Sequence, residues 1–388
     1  MRDARGPLTA AGQLAATGCA ALVVVSACAS VHAIGHAAPS RYSLDVARVE
    51  SARLGFVGLS GPFTSRAAER PARLLVTTTF GDRFRDISPP TARATRVDDV
   101  WFLDRKHGWV VLWNVDTVHV TVFRTRDGGT SWHAASARSH SANAGAVDTV
   151  QFLSPRLGWL VTQEPTAPGA TLLRTGDSGA SWHAVANLPE VAPVEFDTPR
   201  DAWQAGGPFA GRLLHSIDGG RHWQRVRVPI PPRERTATAL YGAPAFFATQ
   251  ILAPVTFVQA HTTELAVYRS RDGGHRWTRL STLTPAGGEP ARCLPAPLSV
   301  SFATISDWWV SAYPSHRPTA YRTTDAGRHW LASPIPAAHA VAACPLPQVQ
   351  SATAHAAWVV LQTTHGPALY ASVDAGRQWR PLHPMSTR

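Results

Sequence analysis

The chain has 388 residues, 44% of them apolar and 16% charged, so it can bury a large core and is not disordered by composition. Its 37 Lys+Arg against 26 Asp+Glu give a formal charge of +11, carried almost wholly by arginine because Lys106 is the only lysine. The 31 prolines, 29 glycines and 14 tryptophans disfavour a coiled coil, a helical bundle and a multi-span membrane protein, and suit a turn-rich all-β structure.

The N-terminus reads as an address. Arg2 and Arg5 precede an apolar stretch from about Leu14 to Ala27, the pattern of a secretory signal. Val25-Ser26-Ala27-Cys28 resembles the lipobox of bacterial lipoproteins, with Cys28 as the lipidated residue. The expected organisation is therefore a signal peptide over 1–28, a tether over 29–41 and one domain over 42–388. A soluble secreted protein cut near Ala33, or an uncleaved anchor, are the alternatives. With Cys28 lipidated, Cys293 and Cys344 are left to form a disulfide.

One octet, Ser/Thr-x-Asp-x-Gly-x-x-Trp, then recurs along the chain. Copies start at Thr125, Thr175, Ser216, Ser270, Thr323 and Ser372, with aspartates Asp127, Asp177, Asp218, Asp272, Asp325 and Asp374. A degenerate copy starts at Thr77, where Thr79 replaces the aspartate. The starts lie 41 to 54 residues apart. The octet predicts a hairpin turn. The carboxylate accepts backbone N–H bonds, the hydroxyl closes the turn, the glycine takes positive φ, and the aromatic opens the next strand. A second pattern, Phe followed six residues later by a dipeptide ending in Trp, precedes most copies: Gly108-Trp109 after Phe102, Gly158-Trp159 after Phe152, Ala202-Trp203 after Phe196 and Trp308-Trp309 after Phe302. In the fifth unit only Ala245-Phe246-Phe247-Ala248 stands in the Gly-Trp place. Each unit reads as four strands, and seven such units predict a seven-bladed β-propeller.

The octet resembles the Asp-box, or bacterial neuraminidase repeat. The resemblance covers nearly all of residues 42–388. Its pairing with Phe-x5-Gly-Trp is most similar to the seven-bladed photosystem II assembly factors and their bacterial relatives. The resemblance implies that the boxes are structural and lie opposite the usual ligand face, and it leaves function open.

A sialidase is disfavoured because the Arg-Ile-Pro motif of that family is missing. For other glycosidases, which need two carboxylates about 5 to 9.5 Å apart, Asp98, Asp99, Asp148, Glu195 and Asp197 are candidates without a standout pair. Histidines are scattered and there is no Cys-x-x-Cys, so neither a metal nor a cofactor is expected. Export and the wide spread of arginine argue against nucleic acid. The leading expectation is an exported, membrane-anchored, monomeric and non-catalytic scaffold that binds a protein or glycan on the face opposite the octets. A glycoside hydrolase is the alternative. Trp113, Tyr313 and Arg317 are the expected contact residues, and Gln151 and Glu195 the expected channel-lining residues.

Overall fold

A computed structural model describes residues 23–24, 42–60, 71–90, 96–114, 119–140, 149–163, 169–205, 210–259, 262–285, 296–314, 317–337, 347–363 and 366–384. Cys28, Cys293, Cys344 and Asp148 lie outside them. The chain is a seven-bladed β-propeller of antiparallel blades, built in strict sequence order. The first strands of the blades are Ser43–Val49, Arg96–Phe102, Thr149–Phe152, Val194–Phe196, Thr238–Tyr241, Ser299–Phe302 and Gln348–Ser351. Three further strands follow outward in each blade. In blade 3 these are Gly158–Gln163, Ala170–Thr175 and His183–Leu188. Val23–Val24 makes a two-residue pairing with Val46 and Ala47 of the first blade. A short 3-10 turn, Pro232–Glu234, lies in the connection between blades 4 and 5.

Both sequence patterns have a structural cause. Within a blade, Phe102 pairs across the ladder with Gly108, and Phe152 with Gly158. A Cβ at Gly108 would sit 2.3 Å from the Phe102 ring, so the ring fills the space a side chain would take. The next residue reaches across the seam. Trp109 stacks on Phe152 of the following blade at 3.6 Å, and Trp159 on Phe196 at 3.8 Å. Phe56 takes the tryptophan's place in the first blade and stacks on Phe102 at 4.0 Å. Each stack is worth about 0.5–1.5 kcal/mol beyond its buried area.

Blade 5 corrects the sequence reading. Ala245–Phe247 is not the Gly-Trp strand. Phe246 pairs with Ile251, which itself pairs with Ser270 at the start of the octet. Ile251-Leu252 therefore stands where other blades carry Gly-Trp, and Phe246 stands in the Phe place. Thr238–Tyr241 and Ala245–Phe247 pair with the same neighbour, Gln250–Gln259, around a bulge at Gly242 whose N–H donates to Pro254 O at 3.0 Å. The bulge keeps the count at seven.

The ring closes by docking, without exchange of strands. Blade 7 takes all four strands from the C-terminal end and blade 1 takes its blade-forming four from residues 43–86. Trp358 of blade 7 shares a core with Val57, Leu75 and Phe80 of blade 1.

Candidate functional site

The seven octet turns share one geometry. The amide of the fifth residue donates to the opening hydroxyl at 2.9 Å in every copy, from Gly81 to Thr77 through Gly376 to Ser372. In the complete copies the carboxylate also accepts the amide of the seventh residue, as Asp127 does from Ser131 at 2.9 Å. That seventh residue (Ser131, Ser181, His222, Arg276, His329, Gln378) is the main reason each carboxyl is held below its ordinary pKa, to about 2 for Asp127 and Asp177. In the degenerate copy the Thr79 hydroxyl does the same work, accepting Arg83 N–H at 3.0 Å. All six aspartates are engaged in holding turns.

At the channel the first strands present bare edges, whose N–H groups need acceptors. The preceding blade supplies one at every seam. Asp45 accepts from Val97 at 3.2 Å, Asp99 from Val150 at 2.7 Å, and Gln151 from Phe196 at 2.7 Å. The backbone carbonyl of Ala210 accepts from Tyr241 at 2.6 Å, and Thr256 from Leu298 at 2.9 Å. Ser299 accepts from Val349 and Ser301 from Ser351, at 3.0 and 2.9 Å. Gln350 closes the ring by accepting from Val49 at 2.7 Å.

A recess lies at the seam between blades 2 and 3, walled by Arg48, Asp99, Trp101, Gln151, Trp159 and Glu195. It has room for about one or two water molecules. Arg48 is 2% exposed, donates to Glu50 at 2.5 Å, and lies 4.0 Å from the centre of the Trp101 ring. Burial raises the Asp99 carboxyl to about 7, with Arg48 and the Val150 N–H opposing. Burial raises Glu195 to about 7 as well, against the pull of Arg48. At the neighbouring seam burial raises Asp45 to about 8, opposed by Ser60 and the Val97 N–H.

The expected channel residues thus meet in one wall. Both amide atoms of Gln151 are engaged there, because its Nε2 also donates to Phe196 O at 3.1 Å. Glu195 faces the recess. Of the expected contact residues, Trp113 and Tyr313 are buried, at 2% and 6% exposure, and offer no face to a partner. Trp113 packs with Val111 and Val120 under the Arg96 guanidinium, which lies 4.8 Å from its ring centre. The alternation that pairs Trp113 with Trp109 on one side of the strand already pointed inward. Arg317 is exposed. Among the other acidic candidates, Asp98 is buried in an ion pair with Arg96 at 2.5 Å, and burial raises Asp197. Arg48 and Trp101 escaped the sequence reading, although an arginine inside Val46-Ala47-Arg48-Val49 is a visible anomaly. Among the described residues no three metal-ligating side chains gather.

No family model matches the chain, and no curated protein matches it. Solved structures share the fold. A YCF48 structure from Cyanidioschyzon merolae is 17% identical over 78% of this chain and 88% of that one, with a TM-score of 0.48. A second, YCF48 bound to a D1 peptide, is 18% identical over 76% and 82%, with a TM-score of 0.46. The GH74 enzyme of Niastella koreensis is 9% identical over 87% and 65%, with a TM-score of 0.50. At these identities the likeness is one of architecture alone.

Proposed function

We propose that the protein is an exported, non-catalytic Asp-box propeller that binds a protein partner through the connecting segments opposite its octet turns. It is held to the membrane by lipid on Cys28, with Cys293 and Cys344 bridged. The observation that carries this reading is how the channel polar groups are used. Asp45, Asp99, Gln151, Thr256, Ser299, Ser301 and Gln350 each hold the backbone of the next blade. Glycoside hydrolysis needs two carboxylates flanking a sugar and, in the inverting case, a water. The recess between Asp99 and Glu195 has space for water alone.

The test uses residues 29–388 as bait on envelope extracts of the host, beside a bait carrying R317A with R227A and R235A, three arginines exposed on this side or on the blade 4–5 connection. A single partner, retained by the first bait and lost by the second, is the expected result. The same preparation is assayed on a glycan panel. Hydrolysis abolished by D99N or E195Q, without a protein partner, overturns the proposal in favour of a glycosidase.

A further inference from the structure

We propose that the seam between blades 2 and 3 is a proton-controlled latch, in which Asp99 grips the backbone of blade 3 across a recess where Arg48 is shared among three carboxylates. The latch is closed in acid and loosens towards neutral pH. The inference stands on the seam geometry and not on the reading of function above.

The charge count sets the mechanism. Asp99 Oδ2 accepts the Val150 N–H at 2.7 Å, and Oδ1 accepts the Val100 N–H at 2.6 Å. Arg48 from blade 1 and Glu195 from blade 4 face it across the recess, and Glu50 already pairs with Arg48. Glu50 pairs with Arg48 from outside the recess lining, so Asp99 and Glu195 when both ionised put two negative charges beside a guanidinium that is already paired, in a space that admits only a water or two. Such a cluster gives up its last protons reluctantly, and as a coupled group. Burial holding Asp99 and Glu195 near 7 agrees with that count. The closed seam therefore binds protons more tightly than an opened, hydrated one. By linkage, opening becomes easier as pH rises from the ordinary carboxylate range to about 7, and then levels off. The opposite seams lack this response, because their acceptors are the hydroxyls of Thr256, Ser299 and Ser301 and the amide of Gln350.

Hydrogen exchange of the intact chain tests it, corrected for the intrinsic pH dependence of the chemical step. Protection at Val150 is expected to fall about 10-fold per pH unit between about pH 5 and 7 for one carboxylate. Protection at Ser351, held by the Ser301 hydroxyl, stays level. D99N keeps an acceptor for the Val150 N–H and removes one of the two titrating charges, so the pH dependence of its protection shrinks to what Glu195 contributes. E195Q, a milder change, leaves Asp99 able to titrate and moves the levelling point to lower pH. The idea is overturned by a Val150 protection that ignores pH, by an equal fall at Ser351, or by an E195Q profile that superimposes on the wild type.

Discussion

Two adjacent glycines separate backbone strain from seam packing. Gly273 and Gly274 occupy the fourth and fifth places of the blade 5 octet, at φ of 67° and 89°. An alanine at Gly273 would meet nothing within 4 Å. It bears only the left-handed penalty of about 1–2 kcal/mol, less about 0.4–1 kcal/mol recovered from the unfolded chain. The net loss is about 0.5–1 kcal/mol. An alanine at Gly274 would place its Cβ 2.3 Å from the Trp203 ring of blade 4, which is fully buried and cannot swing away. Overpacking adds about 1–3 kcal/mol there, for a net loss of about 2–4 kcal/mol. Urea midpoints of G273A and G274A, at unchanged slope, measure the two losses. W203F shortens the ring at the point of contact, and in combination with G274A it restores part of the loss, a coupling that distant sites do not show. Equal losses at the two positions, or simple additivity of W203F with G274A, would refute the claim that the fifth octet residue is a seam contact.

The left-handed fourth position is held by alanine in two other octets, Ala326 at φ 58° and Ala375 at 67°. A326G and A375G are each expected to raise stability by about 0.5–1 kcal/mol in the same unfolding assay, reversing the sign of the usual Ala→Gly change. Stability should also peak in mild acid. The octet carboxyls are lowered, so their contribution is present above about pH 4 and is lost as pH falls through their folded values, about 2 for Asp127 and Asp177. Asp45 is raised to about 8, so its effect runs the other way, costing stability as pH rises from about 4 towards 8. Thermal midpoints across this range should fall less steeply on the alkaline side in D45N.

The repeat was legible because each of its positions admits few residue types. Positive φ, a missing Cβ under Phe102 or Phe152, and a flat ring long enough to reach the next blade leave glycine and tryptophan little competition. Blade 5 was misread where that chemistry is absent. Ile251-Leu252 carries no signature, and the tight turn between Phe247 and Gln250 puts Phe246 five residues before Ile251 instead of the six seen from Phe152 to Gly158. The seam acceptors were illegible for the opposite reason. Asp45, Gln151, Thr256 and Ser299 are interchangeable as acceptors, and at one seam the backbone of Ala210 suffices. Gln151 and Glu195 could be placed on inner strands by period alone, whereas what they face depends on Arg48, about 100 residues or more earlier in the chain.

Blade 4 is expected to open first. Its strands, Val194–Phe196, Ala202–Gln204, Leu214–Ser216 and Gln224–Arg225, have three, three, three and two residues, so its ladders carry few hydrogen bonds. Across the seam its tryptophan meets Trp277 of blade 5 edge-on at 6.0 Å and has no face-to-face partner there. Trp203 lies flat on His215 of its own blade at 4.0 Å, while Phe246 of blade 5 is 6.5 Å away and tilted. Asp201 holds that arrangement, accepting the Trp203 indole N–H at 2.7 Å with His215 Nε2 at 3.0 Å. What supports the blade comes from its neighbour. Tyr268 donates to Pro229 O at 2.9 Å, and Arg279 bridges Glu234 and Glu264, pinning the connection that leaves blade 4. Local opening follows the elements with least packing and fewest ladder bonds. The amides of Val194–Phe196 and Ala202–Gln204 should therefore exchange faster than those of Gln250–Gln259 and Thr262–Ser270 next door, and R279A should widen the gap by freeing the connection. If exchange instead begins at the blade 7–blade 1 seam, where no peptide bond crosses, then the docked closure is weaker than the short-stranded blade. The Trp358 core and the Gln350 bond would then contribute less than their burial implies.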